Sequence, residues 1–345
     1  MSPIQSAFHH QAEWCTRLGS PFTAALIEAL LHHLTPDGRL TPLLTPWPGD
    51  PTADILPLRV TGALHALVLS NAATTLAALY PPNPIPTRQA LIDATGETLT
   101  THASFIKTFL ISPPQTNEVA RAAVLLPGFL HIAATTQKPL RLLEIGASAG
   151  LNLLWDKFHY RLGGGRWGDP ASPVQLAPDW TGHLPNLATP ITITARLGCD
   201  IAPIDVTDPH ACLRLRAYVW PDQTDRLARL TGALTLALHT PATPTKANAT
   251  DFLRAHLTQR HRGEVTALYH SIMWNYVTAA DRADITAIVG QAGQNATRDT
   301  PLAWLRFEIP AQDALPTLML TQWPGGETIH LATAHPHGAA ITWHG

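Results

Sequence analysis

Apolar residues in the first third of the chain recur at helical spacing between prolines. Ser20 before Pro21 reads as an N-cap with a first-turn proline, and Phe22, Leu26, Ala29, Leu30 and His33 then trace one helical face. A second apolar helix is predicted over residues 56–79, ending at the proline-rich run 81–86 that cannot continue it, and a third over residues 89–110. Ser112-Pro113-Pro114-Gln115 has the spacing of a capping box, so a fourth helix is predicted from there towards Pro127.

From Leu140 the pattern changes to short apolar runs alternating with helical stretches, the signature of a largely parallel sheet. Strands are predicted over residues 140–145, 213–220, 243–247, 265–269 and 302–309. Residues 318–323 and 341–343 flank the turns Pro324-Gly325-Gly326 and His335-Pro336-His337-Gly338, which predicts an antiparallel hairpin at the end of the sheet. Residues 161–209, with Gly163-Gly164-Gly165 and the alternating Ile191-Thr192-Ile193-Thr194, are too long for a simple connection and read as an inserted β-rich lobe. The expected organisation is a helical region over residues 1–127 and an α/β domain over 128–345.

Composition sharpens this picture. Only 14% of the 345 residues are charged while 45% are hydrophobic, which predicts extensive burial in place of disorder. The 23 basic and 25 acidic residues are spread along the chain, so no basic stripe exists to hold a phosphate backbone, and nucleic acid is not an expected partner. Cys15, Cys199 and Cys212 lack metal-ligand spacing and suit a reducing compartment, and the N-terminus shows no basic region followed by an apolar core; a cytoplasmic location is expected. The uncharged run 60–80 contains Thr61, His65, Ser70 and Asn71, which predicts a buried helix and no membrane partner.

The densest chemical signal follows the first predicted strand. Leu140-Arg141-Leu142-Leu143-Glu144-Ile145 leads into Gly146-Ala147-Ser148-Ala149-Gly150, and Leu151, Leu154, Trp155 and Phe158 then recur at helical spacing. Glycines in such a turn let the backbone approach a ligand, and free amides at a helix start favour a negative group.

This strand, acidic residue and glycine turn resemble the first motif of the class I S-adenosylmethionine-dependent methyltransferases, which implies a Rossmann-like fold and S-adenosylmethionine as cofactor. By that resemblance Gly146, Ala147, Ser148 and Gly150 approach the cofactor and Glu144 meets its ammonium. Residues 215–220 followed by Pro221-Asp222-Gln223 look like the second strand and its ribose-binding end, with Asp200 as the competing ribose ligand. Asn248 and Ala249 look like the segment that lies along adenine. The strand end Tyr269-His270-Ser271-Ile272-Met273-Trp274-Asn275-Tyr276 then faces the methyl acceptor, which is expected to be a small molecule. The match covers residues 140–343, interrupted by the lobe, and the whole chain also resembles a prokaryotic family of unknown function.

His270 is the expected proton acceptor because an imidazole titrates near neutrality. Trp274 and Tyr276 are candidate stacking surfaces, and Asn117 and Arg121 candidate grips for a polar acceptor. His335 and His337 lack acidic or cysteine partners at ligand spacing, so no metal is expected. Gly146 to Gly150 also spells G-x-S-x-G, which makes a serine hydrolase built on Ser148, with Asp200 or Asp222 and His335 or His337, the alternative enzyme; a noncatalytic nucleotide-binding protein is the second alternative.

Overall fold

A computed structural model of the chain describes residues 2–345 except 241, 260, 312 and 313. The chain forms two compact units, Met1–Thr116 with Asp208–Ala228, and Asn117–Thr207 with Arg229–Gly345. The first unit's opening segment ends eleven residues before the boundary expected at residue 127, and the unit also takes in a later segment.

The first unit contains α1 (Pro3–Arg17), α2 (Pro21–His32), α3 (Thr41–Leu44), α4 (Leu56–Leu69), α5 (Thr74–Ala77), α6 (Arg88–Thr101) and α7 (Ala103–Leu110). The helix α8 (Ala122–Thr136) belongs to the second unit, and the chain returns to the first with α9 (Pro209–Ala217) and the opening of α10 (Thr224–His239). The helix predicted over 56–79 is broken between α4 and α5, where Asn71 takes a left-handed backbone, φ 57°. That over 89–110 splits at His102. Ser112 to Gln115 start no helix: residues 112–118 are non-helical, and Glu118 caps the next turn, its Oε1 accepting from Ala120 N at 3.2 Å. Pro127 lies inside α8 and does not end it.

Asp222 belongs to this first unit. The expected strand 213–220 is largely α9; the alternating Leu213-Arg214-Leu215-Arg216 imitates a strand, but Asp208 Oδ1 accepts from His210 N at 2.8 Å and starts a helix with Pro209 in its first turn. Asp222, expected at a strand end near ribose, instead caps α2. Its carboxylate accepts from Phe22 N at 3.0 Å, from Thr23 Oγ1 at 3.0 Å and from Ser20 Oγ. Ser20 marks the helix start as expected but leaves the backbone cap to this distant carboxylate, whose charge suits a helix N-terminus. Gln223 sits beside it, Oε1 accepting from Arg226 at 2.9 Å.

The second unit is a Rossmann-like α/β layer. Its strands are β1 (Leu140–Ile145), β2 (His159–Leu162), β3 (Gly165–Trp167), β4 (Gln175–Leu176), β5 (Asp179–Thr181), β6 (Ile193–Asp200), β7 (Thr245–Lys246), β8 (Val265–Ser271), β9 (Leu302–Glu308), β10 (Thr317–Trp323), β11 (Glu327–Ala334) and β12 (Ala340–Trp343). The main sheet runs β5-β12-β11-β10-β9-β8-β1-β6-β7; β9, β8, β1, β6 and β7 are mutually parallel, and β10, β11 and β12 follow as an antiparallel meander. The expected hairpin is thus three strands: β11 separates residues 318–323 from 341–343. The inserted lobe contributes the small sheet β3-β2-β4, whereas Ile193 and Thr194 already belong to β6.

All six residues of β1 are buried, because both faces of the sheet are covered. On one side α8 packs against β8, β9, β10 and β11. On the other, Phe252 and Leu253 of α11 (Ala249–Leu257) and Ile285 and Val289 of α12 (Ala279–Gln294) join Leu143, Ile145 and Leu268 in one cluster. Among the described residues one helical run, Val119–Thr136, is long and apolar enough to cross a membrane, and 72% of it is buried within the protein.

Because Asp222 satisfies three donors at the start of α2, Asp222→Ala is expected to cost about 1–2 kcal/mol of stability. Denaturant unfolding followed by circular dichroism measures it, and an unchanged midpoint would refute the capping role.

Candidate functional site

The carboxyl ends of the parallel strands gather the chemistry. Gly146, Ser148 and Gly150 all take left-handed backbones, with φ of 70°, 53° and 74°. Glycine is required at both ends of the turn: a β-carbon on Gly146 would lie 3.0 Å from Met273 Cβ, and one on Gly150 2.5 Å from the Ala242 carbonyl oxygen. Gly146 is exposed, while Ala147, Ser148, Ala149 and Gly150 are buried. The helix expected after the turn is a 3-10 segment, Leu151–Lys157, distorted at Leu154. Bidentate pairing of Asp156 with Arg196, at 2.6 and 2.7 Å, ties that segment to β6.

The amides expected to be open are engaged within the chain. Ala147 N donates to Cys199 O at 2.9 Å, Ser148 N to Asp200 Oδ2 at 2.8 Å, Gly150 N to Ala147 O at 2.8 Å and Leu151 N to Asn117 Oδ1 at 3.2 Å. Asn117, expected to grip an acceptor, therefore caps the 3-10 segment. Its place in the sequence, far from the turn, hid that role.

Of the two acidic candidates, Asp200 is the one at this edge. It ends β6 beside β1, holds Ser148 N with one oxygen and Ala202 N at 2.9 Å with the other, and its carbonyl accepts from Ala247 N at 3.1 Å. Ile201, next in the chain, is 76% exposed, an apolar side chain at the rim that sequence reading missed although it directly follows the acidic strand end. Asn248 lies at the neighbouring end of β7, where its Oδ1 accepts from Asp251 N and Thr250 Oγ1, each at 2.8 Å, as the cap of α11; Ala249 opens that helix.

Beyond β1 the edge continues through β8 and β9. His270, expected to remove a proton, is completely buried. Its Nδ1 lies 2.6 Å from Glu308 Oε1, its ring stacks on Trp274 with centroids 4.7 Å apart, and Nε2 has no hydrogen-bond partner among the described residues. A ring so enclosed reaches no acceptor, so His270 belongs to the packing of the edge. Glu308, at the end of β9, is a further polar residue of this edge, and a lone carboxylate closing a largely apolar strand is its one visible signal in the sequence. Tyr276 is 86% exposed, and Arg121 bridges two edge segments, Nη1 donating to Ser271 O at 3.1 Å and Nε to Pro336 O at 3.0 Å. His335 and His337 face each other in the turn after β11, ring centroids 5.6 Å apart, and burial holds His335 below the usual imidazole range. Among the described residues no three histidine, cysteine or acidic side chains gather as metal ligands.

Glu144 does not offer the exposed counter-charge expected of it. It is 2% exposed, Tyr269 Oη donates to its Oε2 at 3.3 Å, and burial raises its pKa well above the ordinary 4.5, with nearby Asp200 adding to the rise and Tyr269 opposing it. Above pH 4.5 the unfolded chain releases a proton that the folded chain keeps, so this group makes stability fall as pH rises until the folded pKa is passed. Glu144→Gln removes that slope. Melting temperatures should match wild type near pH 4 and exceed it at pH 8; a mutant less stable at both would show that Glu144 is ionised in the fold.

No curated protein and no solved structure matches the chain. A family described as an uncharacterized protein conserved in bacteria, DUF2332, matches residues 5–343. The chain belongs to that family.

Proposed function

We propose that the carboxyl edge of β1, β6 and β7 binds S-adenosylmethionine and that the chain is a methyltransferase acting on a small molecule. One observation carries the reading: the turn at Gly146, the acidic strand end at Asp200 and the cap at Asn248 lie on three successive parallel strands, joined by the bonds Ser148 N to Asp200 Oδ2 and Ala247 N to Asp200 O. Ligands of open parallel sheets bind at such edges, where the strand order reverses, as it does here between β6, β1 and β8.

The residues fit an adenosyl group in kind. Asp200 offers carboxylate lone pairs to ribose hydroxyls, Ile201 an apolar surface to a base, and Asn248 and Ala249 a polar edge beside it. Gly146 is exposed, and Met273 packs against it where any other side chain would sit. When bound, the cofactor supplies a methyl group on a sulfonium, and the chain contributes orientation and exclusion of water. Trp274 and Tyr276 give the acceptor side aromatic surface. His270 is too enclosed to take part directly.

A serine hydrolase is the second reading. Ser148 has the left-handed backbone of a nucleophile elbow, and its buried Oγ has no hydrogen-bond partner among the described residues. Its amide, however, is held by Asp200, and Oγ has no histidine beside it among the described residues.

Calorimetric titration separates the readings. S-adenosylmethionine should bind saturably while NAD and ATP do not, and Asp200→Asn should weaken binding about tenfold, the loss of one charged hydrogen bond. Asp222→Ala should leave the affinity unchanged. Failure of S-adenosylmethionine to bind ends the cofactor reading, and covalent labelling of Ser148 by a fluorophosphonate would install the hydrolase in its place.

A further inference from the structure

The turn that follows β8 is held in a conformation its own residues disfavour. Ile272 has φ 48°, a left-handed backbone that crowds a β-branched side chain and is rare for isoleucine. A strained residue persists only where its surroundings over-determine it. Here the surroundings converge on one carboxylate. Glu308 Oε1 accepts from Met273 N at 3.1 Å, Oε2 from Trp274 N at 3.1 Å, and Oε1 lies 2.6 Å from His270 Nδ1. Ile272 N donates to Phe307 O at 2.8 Å, so both ends of the strained residue are fastened to the end of β9. The consequence reaches the glycine turn: Met273, placed by these bonds, sets its Cβ and Cγ against Gly146, 3.0 and 3.2 Å from where a β-carbon would sit.

We infer that Glu308 is a positioning residue that clamps Ile272, Met273 and Trp274 in this strained turn and thereby holds Met273 on Gly146 in the arrangement competent to bind the cofactor. The inference rests on the cofactor-binding reading of this edge. In it, His270 acts through Glu308 and Trp274: its Nδ1 fixes one carboxylate oxygen and its ring forms the floor on which the indole stacks, a role that requires the complete burial it shows.

The test compares wild type, Glu308→Gln, Ile272→Gly and the double variant in the full chain, with S-adenosylhomocysteine as calorimetric probe and amide hydrogen exchange over residues 271–276. Glutamine cannot accept all three donors, so Glu308→Gln should speed exchange at Met273 and Trp274 and weaken binding about tenfold, as the competent turn falls to about a tenth of the population. Glycine takes positive φ without strain. Adding Ile272→Gly to Glu308→Gln should therefore restore affinity to within about threefold of wild type while the melting temperature stays at or below that of the single variant. A residue that merely stabilised the fold would give the opposite, a double variant weaker in both respects. Unchanged exchange and affinity in Glu308→Gln, or no rescue by Ile272→Gly, would overturn the clamp. If wild type itself fails to bind, the cofactor reading falls and the exchange data alone judge the clamp. Should Glu308→Gln not fold, Glu308→Asp, which keeps the charge but withdraws it by one methylene, carries the same expectations.

Discussion

The carboxylate of Asp200 receiving the amide of Ser148 at 2.8 Å is the contact on which the arrangement of the second unit depends. Parallel strands end side by side, and each end must dispose of backbone groups that no longer pair within the sheet. At β1 the chain turns sharply through three left-handed residues, so its amides point at the neighbouring strand. Asp200 is the side chain that meets one of them, while its own carbonyl accepts from Ala247 beyond β7. One residue thus registers three strand ends. Asp200 also stays partly exposed, whereas Glu144 near the end of β1 is buried.

Burial on both faces of β1 dictates the rest of the polar chemistry. A carboxyl group at Glu144 cannot be hydrated there, so burial raises its pKa, and the Tyr269 hydroxyl lies 3.3 Å from its Oε2 and 3.2 Å from the Asn152 carbonyl. Phe129 stacks on Trp155 at 4.4 Å and meets Tyr269 edge-on at 5.0 Å, closing the space around these groups. Across the sheet, His270 Nδ1 and Glu308 Oε1 pair at 2.6 Å in the same enclosed setting. Polar residues next to the glycine turn are therefore mostly components of its support.

How much of this was legible in the sequence follows from which signals are local. β1 is readable to the residue, because a six-residue run with leucine or isoleucine at four positions, bounded by proline and glycine, has one economical interpretation as a strand. β8, β9 and α2 were readable for similar reasons. Residues 213–220 were misread because strict alternation of leucine and arginine is also what a short helix on a partly exposed surface can show, and the Asp208-Pro209 start signal outweighed it in the fold. That error moved the ribose candidate to Asp222. The lobe between β1 and β6 makes the distance from Gly150 uninformative, so spacing alone does not favour Asp200 over Asp222. Asn117 and Glu308 act across long separations, and nothing in a linear pattern says that a carboxylate at the end of one strand will collect the amides of the next turn.

Backbone strain offers a view of function that does not depend on any resemblance. Among the described residues five that are not glycine adopt left-handed backbones, and two of them, Ser148 and Ile272, sit just beyond the ends of the adjacent parallel strands β1 and β8. Such conformations cost energy that glycine or asparagine at either position would avoid. Their pairing across the point where strand order reverses is where an open α/β sheet places its ligand. The strained turn at Ser148 gives its amide to Asp200 of β6, and the strained turn at Ile272 brings Met273 over Gly146, so the two distortions meet at neighbouring strand ends.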